Sequence, residues 1–391
     1  MQQVVVTLTQ PANEMVQEEI CKKVAHLSKS ILSSRFTEDG LNLIFEAPEE
    51  EAALLSGQAE QLARTVQRSL RNLQRKLVYR STAADTVQFL GDGTDPGIHQ
   101  LGNGQVALED LPLRLYRYFD RIFQSLGNPW TPKPVYTPTL IPATVLAKCG
   151  YFRSFPHNVT FAVHLLEDAE QIDAFRGRHA TRETLDEQAL GDMDVPEACL
   201  TPATCYHVYH IFEGRTVAAG GSIYEVCGKC FRYEASNMRD LRRLWDFTMR
   251  EIVFMGTKDY VLEQREQGIE IVSRFMEEHQ VAGEIRTASD PFFIAPDASA
   301  KTYFQLSAET KYEISLMLPE EERLAVGSLN YHTDFFGRTF NVSVEEGGPM
   351  HSVCIAFGLE RWVYAFLAQH GNQPERWPSV IRCAPEFVGL S

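Results

Sequence analysis

The stretch "HSVCIAFGLERW", residues 351–362, decides how this chain is read. Val353 to Phe357 is an apolar run of strand length, and Gly358 permits a turn. The following "LERWVYAFLAQHG" has helical spacing and ends at Gly371. A strand entering a helix thus carries Glu360 and Arg361 into the first helical turn. The helix dipole favours the glutamate there and disfavours the guanidinium. Arg361 therefore implies an anion nearby, either a carboxylate of the fold such as Glu360 or a bound ligand.

Upstream, "CGKCFRYEASNMRDLRRLWDFTMREIVFMG", residues 227–256, reads as a long hairpin. "CFRYE" ends one strand, with Arg232 and Glu234 two apart and so on one sheet face. An arginine-rich loop follows, and "LWDFTMREIVF" resumes strand alternation with Phe247 and Glu251 on the same face. Two opposite charges on a sheet face are more often a structural ion pair than a site. An aromatic ring and several loop arginines change the balance. Guanidinium forks match phosphate oxygens, and a phenyl face can stack on adenine.

The chain has 391 residues, 44% hydrophobic and 23% charged, which fits a soluble globular protein of two domains. It shows no long apolar span and no signal-like N-terminus, so it reads as a cytoplasmic protein without a membrane partner. Its eight cysteines are irregularly spaced, which argues for thiols or metal ligands over a disulfide framework. The formal net charge of −15 is unfavourable for gripping nucleic-acid phosphates. One local exception is "QLARTVQRSLRNLQRKLVYRSTAA", residues 61–84, with six basic residues and no acid.

Residues 1–85 read as a small α/β module. Val4 to Leu8 and "LNLIFE", 41–46, are its strands. Pro11 opens a first helix, and a second runs from about Glu49 to Leu77 with Leu62, Val66, Leu70, Leu73 and Leu77 as its apolar stripe. Arg64, Arg68, Arg71 and Arg75 fall on its opposite face, either as a solvated surface or as a dock for an acidic partner. Residues 86–109, rich in Gly and Asp, read as a linker, and residues 110–391 as the main domain. There an aromatic helix, 112–126, precedes "VYTPTLIPATVL", 135–146, whose prolines suit an edge strand or a dimer edge.

"FRYE", the arginine loop and "DF" together resemble motif 2 of class II aminoacyl-tRNA synthetases. "GLER" resembles their motif 3, and residues 112–142 their looser motif 1. Within the class the chain is most similar to the zinc-dependent seryl-tRNA synthetases of methanogens and their shortened relatives, the amino acid:carrier-protein ligases. "SLNYHTDFFG", 328–337, ahead of "HSVCIAFGLER" is especially like the latter. The resemblance implies an α+β fold, a mostly antiparallel sheet flanked by helices, working as a homodimer. It implies that Arg361 holds the γ-phosphate of ATP, Arg232 the α-phosphate, that Phe247 stacks on adenine and that Glu251 helps bind Mg²⁺. It maps the zinc ligands of that branch to Cys205, Glu234 and Cys354, leaving one tetrahedral position for the amino acid's α-amine. Glu313, in "KYEISLML", is implied as a further nucleotide- or metal-contacting acid, and Asn330 and His332 as lining the amino-acid pocket.

The spacing alone favours three unrelated buried thiols and carboxylates, since cysteine is commonly buried. A competing metal pair, Cys227 and Cys230, would point to opposite faces if 226–234 is a strand. Cys149 is one more candidate ligand. The expected activity is ATP- and zinc-dependent activation of a small amino acid as its adenylate and transfer to the phosphopantetheine thiol of an acidic carrier protein. The acidic main domain and the lack of a coiled-coil arm favour a carrier over tRNA; the N-terminal module points the other way. The alternatives are a zinc-dependent seryl-tRNA synthetase and a non-catalytic amino-acid-binding paralogue.

Overall fold

In the computed structural model, which describes residues 1–388 other than 29, 32, 71–74, 234–237, 239 and 289–307, alternation governs the first strands. β1 (Gln2–Thr7) and β3 (Asn42–Ala47) pair antiparallel and bury Val4, Val6, Leu43 and Phe45 on one face. β2 (Ser34–Phe36) flanks β3. α1 (Glu14–Val24) starts later than Pro11 because Asn13 caps it, its Oδ1 accepting the Val16 N–H at 2.9 Å. α2 (Glu49–Leu70) covers the same sheet face with Leu55, Ala59, Ala63, Val66 and Leu70.

α2 does not reach Leu77. Residues Leu77–Arg80 form β4, which pairs with β14 (Gly283–Thr287) of the large sheet. Tertiary pairing overrides a helical periodicity that continued through the sequence. Leu77 belongs to no helix stripe and is exposed, and Leu73 lies outside the described residues. The expected linker also carries structure. β5 (Ile98–Gly102) and β6 (Gln105–Leu108) form a hairpin whose tip, Gly104, takes a φ of 66°. That tip exchanges backbone hydrogen bonds with Met238 and Trp245.

The large sheet runs β4-β14-β15-β16-β18-β13-β12-β7. Its strands are β15 (Lys311–Met317), β16 (Arg323–Tyr331), β18 (His351–Gly358), β13 (Asp246–Gly256), β12 (Ser222–Phe231) and β7 (Lys133–Val135). Only β7 joins in parallel, as a short edge strand after α3 (Asp110–Leu126). The neighbouring prolines leave β8 (Leu140–Pro142) to a small separate sheet with β9 (Phe161–Ala162) and β10 (Ala198–Leu200). β11 (Thr216–Val217) and β17 (Ser343–Val344) form a parallel pair outside it.

The two faces of the large sheet are built differently. On one, Ile252, Phe254, Val353, Ile355 and Phe357 pack under α3, the helix Lys258–Glu278 and the helix Leu359–His370. Phe123 stacks on Phe357 with ring centroids 4.3 Å apart. On the other, Val226, Val253, Cys354 and Ala356 face the helix Cys205–Ile211 and Phe336. The second face carries Glu251 and Cys354, and the whole is a mixed α+β architecture of the expected class.

Candidate active site

Residues directly opposite in a ladder share a sheet face, so register alone lays out the site. One row across the strands reads Glu313, Ser328, Ala356, Glu251, Val226. The next reads Lys311, Asn330, Cys354, Val253, Tyr224. Towards the other end of the β12–β13 hairpin, Cys230 lies opposite Phe247. Cys205, the first residue of its helix, meets this face from outside the sheet. Its backbone N–H donates to Glu251 Oε2 at 2.6 Å.

One ligand atom each from Cys205, Glu251 and Cys354 lies within 4.8 Å of the other two, and all three residues are buried. Each resists becoming an anion there. The hydrogen bond with Cys354, burial and the Glu251 charge push the Cys205 thiol far above the usual range. Cys205 pulls the Cys354 thiol down by hydrogen bonding, but burial and Glu251 outweigh this and leave it at about 11. Burial raises Glu251, against hydrogen bonds from Cys205 and the charge of Arg232. Two soft thiols and a carboxylate packed this closely in an apolar core suit a zinc-type cation, which would stabilise all three anions together.

Among the described residues the carboxylate in this group is Glu251, expected at the magnesium; Glu234, expected here, lies outside the described residues. Glu251 is in register with Val226. Glu313 is on the same face but three strands away, ~14 Å at ordinary strand spacing. Glu251 and Glu313 therefore cannot share one metal ion.

Arg232 leaves the end of β12. Its Nε–H donates to Pro202 O at 2.9 Å, and its guanidinium carbon lies 5.4 Å from the Phe247 ring centre. Arg361 does not pair with Glu360. Its Nε–H donates to Arg242 O at 2.7 Å and its Nη1–H to Ala325 O at 2.9 Å, so backbone carbonyls offset the dipole at the helix start. Asn330 Nδ2 donates to Ser328 Oγ at 3.0 Å, and its buried Oδ1 accepts no hydrogen bond. His332 Nδ1 is 3.2 Å from Tyr209 Oη and 3.3 Å from Ser352 Oγ. Tyr209 in turn stacks on Phe336 at 4.0 Å.

Cys227 and Cys230 do face opposite ways. Cys227 Sγ donates to Asp120 Oδ1 at 3.4 Å on the helix-covered face, beside Arg250, so the two thiols cannot hold one metal. Cys149 packs in the same apolar core as Cys205 but is no member of the three-ligand group. Sequence reasoning missed Cys230 as a fully buried thiol between Glu251 and Arg232. Strand parity with Arg232 was the available signal. It also missed Thr248, on which Glu360 closes. On α2, Arg64 pairs with Glu60 at 2.5 Å and Arg68 is exposed. Arg75 turns inward to Glu18 of α1 at 2.6 Å, off the expected docking face, and Arg71 lies outside the described residues.

Comparison with known proteins bears on the same elements. Residues 192–370 match the family model of the tRNA synthetase class II core domain (G, H, P, S and T). Amino acid--[acyl-carrier-protein] ligase 2 of Bradyrhizobium diazoefficiens is 33% identical over 79% of this chain and 89% of its own length. Ligase 1 of the same organism is 32% identical over 65% and 75%. The type-2 serine--tRNA ligase of Methanopyrus kandleri is 28% identical over 69% of this chain but only 54% of its own length. In fold, the M. kandleri seryl-tRNA synthetase solved with A. aeolicus tRNASec matches with a TM-score of 0.71 at 21% identity, covering 100% of this chain and 78% of that one. With the Cys-Glu-Cys group on the sheet of that core, the chain belongs to the class II synthetase-like family of amino acid--[acyl-carrier-protein] ligases.

Proposed function

We propose that this ligase joins an amino acid to ATP as an aminoacyl-adenylate and passes the aminoacyl group to the phosphopantetheine thiol of an acyl carrier protein. One observation carries the reading: two chemically different ends share a single sheet face. Cys205, Glu251 and Cys354 form one end and Arg232 with Phe247 the other, and Glu251 and Phe247 are ~13 Å apart along β13. That span suits an amino acid linked to a nucleotide.

In the first step a substrate carboxylate oxygen bonds to the α-phosphorus, the bond to the bridging oxygen breaks and pyrophosphate leaves. Arg232, oriented by Pro202 O, neutralises charge at the α-phosphate, and Arg361 does so at the γ-phosphate. Phe247 stacks on adenine. Cys205, Glu251 and Cys354 would hold zinc, which supplies a Lewis-acid position for the substrate's deprotonated α-amine. Glu313, distant from that group, is the carboxylate left for the magnesium that accompanies ATP. In the second step the carrier thiolate bonds to the adenylate's carbonyl carbon and AMP leaves. His332, Tyr209 and Phe336 close the space beyond the thiols, which supports a small substrate, and the Asn330 Oδ1 acceptor would read its polar hydrogens. We place the acceptor dock on the N-terminal module, residues 1–85, and expect a homodimer built through α3 and β7.

A tRNA-charging reading has one favourable observation: the seryl-tRNA synthetase fold matches the whole of this chain, N-terminal module included. The chain spans about half the length of the serine--tRNA ligases it matches. Amino-acid-dependent ATP–pyrophosphate exchange, run over a panel of amino acids, tests activation. Labelled amino acid offered to holo carrier protein and to tRNA tests the acceptor. We expect exchange with a small amino acid and label on the carrier alone; label on tRNA alone replaces this reading with the second.

A further inference from the structure

β13 is longer than its neighbour. The β13–β18 ladder ends at the pair Met249–Gly358, where β18 turns into the helix Leu359–His370. The edge of β13 from Thr248 back to Asp246 is left without a β18 partner. A backbone N–H buried there without an acceptor would cost about 1–3 kcal/mol. Glu360 supplies the acceptor. Its Oε2 and Oε1 lie 2.8 and 3.0 Å from Thr248 N, and Oε1 also accepts from Thr248 Oγ1 at 2.9 Å. The Tyr116 hydroxyl of α3 donates to Thr248 Oγ1 at 2.9 Å, and Lys229 Nζ lies 3.7 Å from Glu360 Oε1.

The clamp falls between two parts of the nucleotide end of the site. Thr248 directly follows Phe247, which projects from the opposite sheet face beside Arg232. Glu360 directly precedes Arg361, whose guanidinium is fixed by Arg242 O and Ala325 O. We infer that Glu360 is a positioning residue for ATP: its carboxylate replaces the missing strand and holds the Phe247 ring and the Arg361 guanidinium in one register. It acts through those two residues and touches neither the thiol group nor the amino-acid pocket. The inference rests on the proposed ATP-dependent activation.

The test is exchange kinetics on the full-length, metal-loaded protein, varying ATP and then the amino acid. Wild type is measured in parallel, and a wild type without exchange counts against the proposed activation itself. Given wild-type exchange, Glu360→Gln should raise KM for ATP about tenfold, since it exchanges a charged acceptor for a weaker neutral one. KM for the amino acid and bound metal should stay within about twofold. Glu360→Asp, which keeps the charge, should recover part of the loss. A folded Glu360→Gln with unchanged KM for ATP, or with both KM values rising together, overturns the inference. Should that variant not fold, Thr248→Val removes the hydroxyl that donates to Glu360 and accepts from Tyr116, and keeps the backbone N–H. A rise of about threefold in KM for ATP alone supports the clamp, and no rise overturns it.

Discussion

At the scale of single residues, the sharpest question is which glutamate completes the thiol pair. Glu234 and Glu251 both sit in the motif 2 segment, and the resemblance put Glu234 at the zinc and Glu251 at the magnesium. Among the described residues it is Glu251 that contacts Cys205 and lies within 4.8 Å of both sulfurs. Removing one anionic donor from a three-ligand site should lower metal affinity by orders of magnitude. We therefore expect Glu251→Gln to lose its zinc on dialysis and Glu234→Gln to keep it, with metal content measured by emission spectroscopy. Zinc lost from Glu234→Gln and kept by Glu251→Gln would restore the order expected from sequence. Both cysteines of the group were legible because a resemblance marked their places. Glu251's contact was not, since it depends on a helix from residues 205–211 landing above a strand some 40 residues downstream. The anion implied by Arg361 was half legible. Among the described residues Arg361 donates to carbonyls of Arg242 and Ala325, contributed by distant segments.

Between residues and the whole lie the elements, and here periodicity did well wherever burial is one-sided. β1, β3, β13 and β18 follow their alternation within two residues of expectation, β12 begins at Ser222 and ends at Phe231 where 226–234 was expected, and the opposite aims of Cys227 and Cys230 follow from that alternation. It failed at Leu77–Arg80 and at the 98–108 hairpin, because those strands are specified by partners over 190 residues away or by turn residues that also suit a loop. The helix Lys258–Glu278 shows a second tertiary lock. At its end His279 Nδ1–H donates to Phe275 O and Nε2 accepts from the Tyr118 hydroxyl of α3, each at 2.8 Å. The carbonyl fixes Nδ1 as the protonated nitrogen, and burial, which disfavours the charged ring, lowers the His279 pKa to about 4 despite the Phe275 bond. Between pH 4 and the unfolded value near 6.5 the unfolded chain binds the extra proton. Stability from this group is therefore complete above pH 6.5 and falls as the pH drops towards 4, by roughly 3 kcal/mol over the window. His279→Gln should be less stable at pH 7 and lose this part of the acid slope, as read by urea unfolding from pH 7 to 4.5. An unchanged slope would assign acid sensitivity to other groups.

Across the whole molecule, charge is unevenly divided. The first 80 residues are neutral, so the full excess of −15 lies in the remainder. An acidic acceptor is repelled by such a body, and salt confines attraction to within about 8–10 Å of exposed cations. Residues 61–84, which begin in the last turns of α2, are a stretch where basic residues outnumber acids, although fewer of them are left unpaired than the sequence promised. Arg75 is spent on Glu18 and Arg64 is partly offset by Glu60. If α2 receives the carrier, Arg64→Glu with Arg68→Glu should lower kcat/KM for aminoacyl transfer about tenfold at low ionic strength, with the loss shrinking as salt is raised. Adenylation should be untouched, because neither residue belongs to the sheet face that holds Arg232, Phe247 and Glu251. Measuring exchange and transfer on one preparation separates the two steps. Transfer equal to wild type at every salt concentration would make the α2 stripe an ordinary solvated face. The acceptor would then meet a body of net negative charge, and its recognition would rest on contacts near the adenylate instead of on long-range charge.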